Sequence, residues 1–283
     1  MAARILDGKS LAATVRAAVK QEVDALSQRG IRPGLAVLLA GDNAASRVYV
    51  RNKMRASEET GVRSELYELP STVSEEAILD RVLALNDDPD IHGILVQLPL
   101  PRQINAYKVL EAVSPAKDID GFHAANLGAL VAGVPHMVPC TPAGVMRLLQ
   151  HARVPLAGAH AVVIGRSNIV GKPLALLLLQ QDATVTICHS KTRDLENIAR
   201  SADILVAAVG RAKLVTGAMV KPGACVIDVG VNRLSDGSIA GDVDFASASE
   251  VAGWITPVPG GVGPMTIAML LENCVRAARA SDK

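Results

Sequence analysis

Two periods alternate along this chain. Leu11, Val15, Val19, Val23 and Leu26 recur at helical spacing and predict a helix over about 10–26. Leu35 to Ala40 is a short continuous apolar run closed by Gly41, the pattern of a strand buried on both faces. A helix over about 46–60 follows, with Gly61 placed to end it, then a strand-like stretch from Ser64 to Leu69. Another helix begins near Ser74, where Glu75 and Glu76 suit the positive end of the helix dipole although Ala77 denies it a full capping box. The run from Gly93 to Gln97 predicts a buried strand stopped by Pro99 and Pro101. Alternation of this kind implies a parallel sheet covered by helices.

Ser114 to Pro142 reads as irregular and as the crossing between domains. A second series starts beyond it, with strands at 161–165, 184–188, 204–209 and 224–229 and helices at about 170–181 and 195–202. This is the mononucleotide-binding βαβ pattern. A last helix, about 265–280, is expected to return to the first domain. The fold class expected is therefore α/β in two domains with a cleft between them. Residues 1–138, completed by 265–283, form an N-terminal parallel-sheet catalytic domain; residues 139–264 form a Rossmann-type domain.

Composition narrows the function classes. The 29 basic and 28 acidic residues leave a net charge of +1, which favours neither a polyanion nor an anionic membrane. Aromatic residues make up only 2%, too few for base-stacking platforms, so no nucleic-acid partner is expected. The longest apolar stretch, Pro173 to Leu179, is too short to span a bilayer. Arg4 and Asp7 interrupt the N-terminus before a signal-like apolar core forms. Cys140, Cys188, Cys225 and Cys274 are scattered, without the paired spacing of a zinc site or a dithiol. A cytoplasmic protein with reduced thiols and no metal is expected.

Candidate chemistry lies at strand ends. Gly165-Arg166-Ser167-Asn168-Ile169-Val170-Gly171-Lys172-Pro173 joins a strand to a helix where a Rossmann fold places its phosphate turn, although without the G-x-G-x-x-G spacing. A tight connection would use the same glycines. Free N–H groups at such a helix start face an anion, and Pro173 suits the first turn. The next strand ends Cys188-His189-Ser190-Lys191-Thr192, with no carboxylate before Asp194 to hold two ribose hydroxyls. With Arg166 able to reach across as a fork-shaped donor, the preference is for NADP over NAD.

In the first half, Tyr49 and Lys53 share a helix face one turn apart. Gln97 stands at a buried strand's C-terminal end, as a sheet-edge satisfier or a ligand contact. Lys117-Asp118-Ile119-Asp120-Gly121 is either an Asx-type turn or a carboxylate aimed at paired donors such as a pteridine's N–H and amino group. Thr256 to Thr266 is a long run of small residues that could admit a flat ring and then start a helix.

Tyr49-Val50-Arg51-Asn52-Lys53, Gln97-Leu98-Pro99-Leu100-Pro101, Lys117 to Gly121, the Gly165 turn and Pro257 to Pro264 occur in that order. Together they resemble the bifunctional methylenetetrahydrofolate dehydrogenase/methenyltetrahydrofolate cyclohydrolase family over essentially the whole chain. The resemblance implies that Lys53 is catalytic with Gln97 as its partner, that Tyr49 packs on a tetrahydrofolate substrate, and that Asp120 holds the pterin. It implies further folate contacts at Pro259, Gly260 and Gly261. NADP contacts are implied at Gly165, Arg166, Ser167, Ser190 and Val231, and a homodimer through the NADP-binding domains. The rivals are a two-domain dehydrogenase for a small hydroxy or amino acid, which would need neither the Asp120 loop nor the 258–264 wall, and a non-catalytic NADP sensor.

Overall fold

The computed structural model describes residues 2–281. The chain runs β1 (Arg4–Ile5), α1 (Gly8–Gln28), β2 (Gly34–Ala40), α2 (Ala44–Thr60), β3 (Arg63–Leu69), α3 (Glu75–Asp87) and β4 (Gly93–Val96). Helices α4 (Ala106–Ala112), α5 (Ala124–Val131) and α6 (Cys140–His151) follow. Then come β5 (His160–Ile164), α7 (Gly171–Leu179), β6 (Thr184–Cys188), α8 (Leu195–Arg200), β7 (Ile204–Ala207) and β8 (Cys225–Asp228). The chain closes with β9 (Asn232–Arg233), β10 (Ile239–Ala240), α9 (Phe245–Ser249), β11 (Trp254–Ile255) and α10 (Val262–Ala280).

Contacts divide the chain into two units. One holds Ala13–Cys140 with the chain from Ile267 onward; the other holds the described residues up to Ala12 with Thr141–Thr266. The first contains a parallel three-stranded sheet in the order β3-β2-β4. Every residue of β2 is buried, as its unbroken apolar run requires of the central strand. Ala36, Leu38, Ile94 and Val96 pack with Ile78 and Val82 of α3 in one core. Ser74 does cap α3, its hydroxyl accepting from Ala77 N at 3.1 Å, a contact commonly worth ~1 kcal/mol.

The second unit carries a six-stranded sheet in the order β1-β11-β8-β7-β5-β6, parallel throughout. Val162, Ile164, Leu205, Val226 and Ile255 contribute to its core. By contacts the described residues up to Ala12 group with this second unit, where β1 pairs with β11, Arg4 opposite Trp254 and Ile5 opposite Ile255, with the Arg4 guanidinium 5.3 Å from the Trp254 ring. One expectation needs correction. The segment 114–142 is not irregular throughout, for it contains α5 and the start of α6. Helix α5 starts there because the His123 ring nitrogen accepts from Ala125 N at 3.0 Å and a buried Asp118 oxygen accepts from His123 N at 2.8 Å.

Candidate active site

Helix α2 decides where the first candidate points. Asn43 caps it by accepting from Ser46 N, and Gly61 closes it in the left-handed conformation. Ser46, Val50, Lys53, Ala56, Ser57 and Thr60 form its buried stripe. A lysine on that stripe is rare unless paired, and Lys53 is only 8% exposed. Its Nζ donates to Gln97 Oε1 at 3.1 Å. Gln97 lies one residue past β4 and extends the ladder, its N donating to Leu38 O at 2.9 Å. Its Nε2 donates to Leu98 O at 2.7 Å, which sets the amide so that the oxygen faces the lysine. Tyr49, one turn before Lys53, is 36% exposed, and burial of its ring raises its pKa.

The two carboxylates of the 117–121 loop have separated roles. Asp118 is buried and accepts from both His123 N and Asn126 Nδ2. It is a structural anchor. Lys117 likewise points away, donating to Leu85 O and Asp88 O at the C-terminal end of α3. Asp120 is partly buried and accepts no hydrogen bond among the described residues. Burial pushes its pKa up to about 6; Lys53 pulls it down and Asp118 raises it further. An ionisable acceptor with no partner of its own therefore lies in the field of the Lys53–Gln97 pair.

Asn273 of α10 holds this loop, and no pattern in the sequence pointed to it. Its Nδ2 donates to Ile119 O at 2.8 Å and to Val138 O at 2.9 Å, and Cys140 Sγ also reaches Ile119 O. The peptide bearing Asp120 is thus clamped from outside the loop. Asn273 is only 5% exposed, and these bonds satisfy its buried amide.

In the other unit, Gly165 ends β5 at φ +131, and a Cβ there would lie 2.2 Å from Ala208 O. A Cβ on Gly171 would lie 2.1 Å from Gly165 O, so both positions demand glycine for close approach. Ser167 Oγ accepts from Val170 N and Gly171 N, where α7 begins. The N–H groups of Arg166, Ser167 and Asn168 have no partner among the described residues, and the Arg166 side chain is exposed and unpaired. Across the turn after β6, Ser190, Lys191 and Arg193 are exposed, while the Asp194 carboxylate is held by Asn197 Nδ2. Val231, just past β8, is 47% exposed. These residues fit an anion at the start of α7 and a second phosphate on the ribose.

The 257–263 run is built close to the backbone. Lys9 N donates to Gly260 O at 2.9 Å, and Thr256 Oγ1 accepts from Asp228 N at 2.7 Å. Pro259 is exposed, Gly260 partly buried and Gly261 buried. The structure thus joins Lys53, Gln97 and Asp120 in one unit, and carries the Gly165 turn, Ser190, Val231 and Pro259 to Gly261 in the other. Among the described residues no group of three or more His, Cys, Asp or Glu could hold a metal ion, and no helix is long and apolar enough to cross a membrane.

Comparison with known proteins decides the family. The models of the tetrahydrofolate dehydrogenase/cyclohydrolase catalytic domain and of its NAD(P)-binding domain match residues 6–120 and 139–282. The chain belongs to the tetrahydrofolate dehydrogenase/cyclohydrolase family. A family member from Burkholderia thailandensis, bifunctional protein FolD, is 61% identical over 278 residues, 98% of each chain. The crystal structure of the bifunctional enzyme FolD from Campylobacter jejuni superposes with a TM-score of 0.97 at 48% identity, covering 99% of both chains. The Trypanosoma brucei enzyme, solved with NADP cofactor and an inhibitor, also gives 0.97, at 40% identity, over 100% of this chain and 99% of its own.

Proposed function

We propose that this family member oxidises 5,10-methylenetetrahydrofolate to 5,10-methenyltetrahydrofolate with NADP and then hydrolyses the product to 10-formyltetrahydrofolate. The observation that carries it is the hydrogen bond of buried Lys53 to Gln97, with the partnerless Asp120 in its field. The B. thailandensis relative bears the name of a bifunctional enzyme, and the T. brucei relative was solved with NADP. Ala13–Cys140 with the chain from Ile267 carries the folate chemistry in this scheme, and the unit with the Gly165 turn binds the dinucleotide.

Loss of hydride from the methylene carbon is driven by the adjacent nitrogen lone pair, so positioning of the folate does most of the protein's work. When bound, NADP supplies the hydride acceptor. Tyr49 offers its ring as a packing face and Asp120 accepts the pterin's paired N–H donors. Water then adds to the methenyl carbon, and ring opening moves protons. Lys53 Nζ, held by Gln97 Oε1, carries them. An absorbance assay with methylenetetrahydrofolate and NADP tests the whole scheme; absence of turnover by pure protein sinks it.

The 2′-phosphate sets cofactor choice. Arg166, unpaired among the described residues, and Ser190 receive it, and the Asp194 carboxylate at the turn after β6 is engaged by Asn197. Arg166→Ala is expected to raise the Michaelis constant for NADP far more than that for NAD. Equal rises with both cofactors would remove Arg166 from the phosphate site.

A homodimer through the NADP-binding units is supported by β6, an edge strand with Ile187 40% exposed. Sedimentation showing a monomer at micromolar concentration would exclude it. A cytoplasmic location without nucleic-acid partners is supported by four buried free cysteines and a net charge of +1. Recovery of the protein in an extracytoplasmic fraction, or bound to nucleic acid, would overturn that.

A further inference from the structure

Beyond the C-terminal ends of β7 and β8, two loops are held by buried carboxylates. Asp242 is fully buried. Its Oδ2 accepts from Val209 N at 2.6 Å and Gly210 N at 2.9 Å; its Oδ1 accepts from Arg211 N at 2.8 Å and Asn232 Nδ2 at 2.9 Å. Three successive N–H groups converging on one anion make a nest, here filled by the chain's own side chain. Asp228, the last residue of β8 and 3% exposed, accepts from Gly230 N and Asp242 N on Oδ1 and from Val243 N on Oδ2, each at 2.9 Å.

None of the ion pairs found among the described residues reaches either carboxylate. Burial outweighs the three N–H donors at Asp228 and pushes its pKa up to about 6. Two adjacent buried acids without a cation are costly to desolvate, and the chain carries that cost to gather four N–H groups on Asp242 and three on Asp228. Such a departure from local economy is expected where a site must be held in one geometry. The two loops lie where parallel α/β sheets take their ligands, and Val231 directly follows Gly230.

We propose that Asp242, seated on Asp228, is a positioning residue for the dinucleotide: it fixes Val209–Arg211 and Gly230–Val231 in the conformation that receives the cofactor. This rests on the NADP-binding role proposed above. Asp242 touches no cofactor atom in this scheme and acts through the backbone groups it gathers.

Asp242→Asn keeps the shape but turns an amide N–H toward backbone N–H groups, leaving at least one donor unpaired. The expected result is a fall of about tenfold or more in kcat/KM for NADP in the dehydrogenase assay. Hydrolysis of methenyltetrahydrofolate, measured without cofactor, stays within about twofold of wild type, because that chemistry belongs to the other unit. Parallel loss of both activities would reduce Asp242 to a structural role and overturn the proposal, as would an unchanged kcat/KM for NADP. Should Asp242→Asn fail to fold, Asn232→Ala removes a single donor from the same carboxylate; a smaller dehydrogenase-only loss is expected, and a parallel loss again overturns it. Wild-type protein inactive with methylenetetrahydrofolate and NADP sinks the functional scheme itself; an active wild type whose variants lose both activities together sinks only the positioning role.

Discussion

Lys53→Met is expected to lower the cyclohydrolase rate by at least the ~10²-fold typical of general acid–base catalysis, while the dehydrogenase step falls less. Methionine keeps the apolar stem on the buried stripe of α2 and removes the amine that donates to Gln97 Oε1. Hydride loss draws on the substrate's own nitrogen, whereas ring opening must move protons at the same carbon. Methenyltetrahydrofolate should therefore accumulate, visible by its own absorbance, when the variant receives methylenetetrahydrofolate and NADP. Hydrolysis of methenyltetrahydrofolate at the wild-type rate would refute the assignment. Loss of both steps with folate binding retained would mean that Lys53 also aligns the substrate for hydride transfer.

How far this pair was legible in the sequence follows from what each residue depends on. Helical spacing placed Tyr49 and Lys53 on one face, and the apolar run 93–97 placed Gln97 at the C-terminal end of a buried strand, which the structure ends one residue earlier, at Val96. Both inferences use local periods. Gly165 and Gly171 were legible for the same reason, because a strand-to-helix turn needs close backbone approach whatever surrounds it. The split between Asp118 and Asp120 was not legible. Two carboxylates two residues apart look alike until Asn126 and His123 claim one of them.

Elements held by distant partners were also hidden. Two-residue strands such as β1 and β11 exist only because they pair across the chain, and neither carries a period of its own. Asn273 holds carbonyls 135 and 154 residues earlier in sequence. Asp242 gathers backbone groups from a loop 31–33 residues away. In each case the informative residue is a buried polar side chain whose partners are set by tertiary structure, which no window of neighbouring residues contains.

Asp120→Ala is expected to weaken folate binding by roughly 1.5–3 kcal/mol, about tenfold to a hundredfold, with NADP binding nearly intact. The carboxylate has no hydrogen-bond partner within the described protein, so a ligand's paired donors meet an acceptor that does not have to be released first. Its raised pKa also gives the prediction a pH signature. As pH falls through about 6 the carboxylate takes up a proton and loses half of its paired acceptor, so kcat/KM for the folate should decline on the acid side. The Asp120→Ala protein should lack that limb. In Lys53→Met the limb should move to higher pH, because the charge that pulls the carboxyl down is gone. Stability runs the other way. A carboxyl raised above its unfolded value contributes stability that is fully present below the unfolded pKa and is lost as pH rises through about 6. Asp120→Ala should therefore melt no lower than wild type at pH 7.5, which separates a lost ligand contact from a damaged fold. Calorimetry showing unchanged folate affinity, or an acid limb that persists in Asp120→Ala, would remove Asp120 from the site.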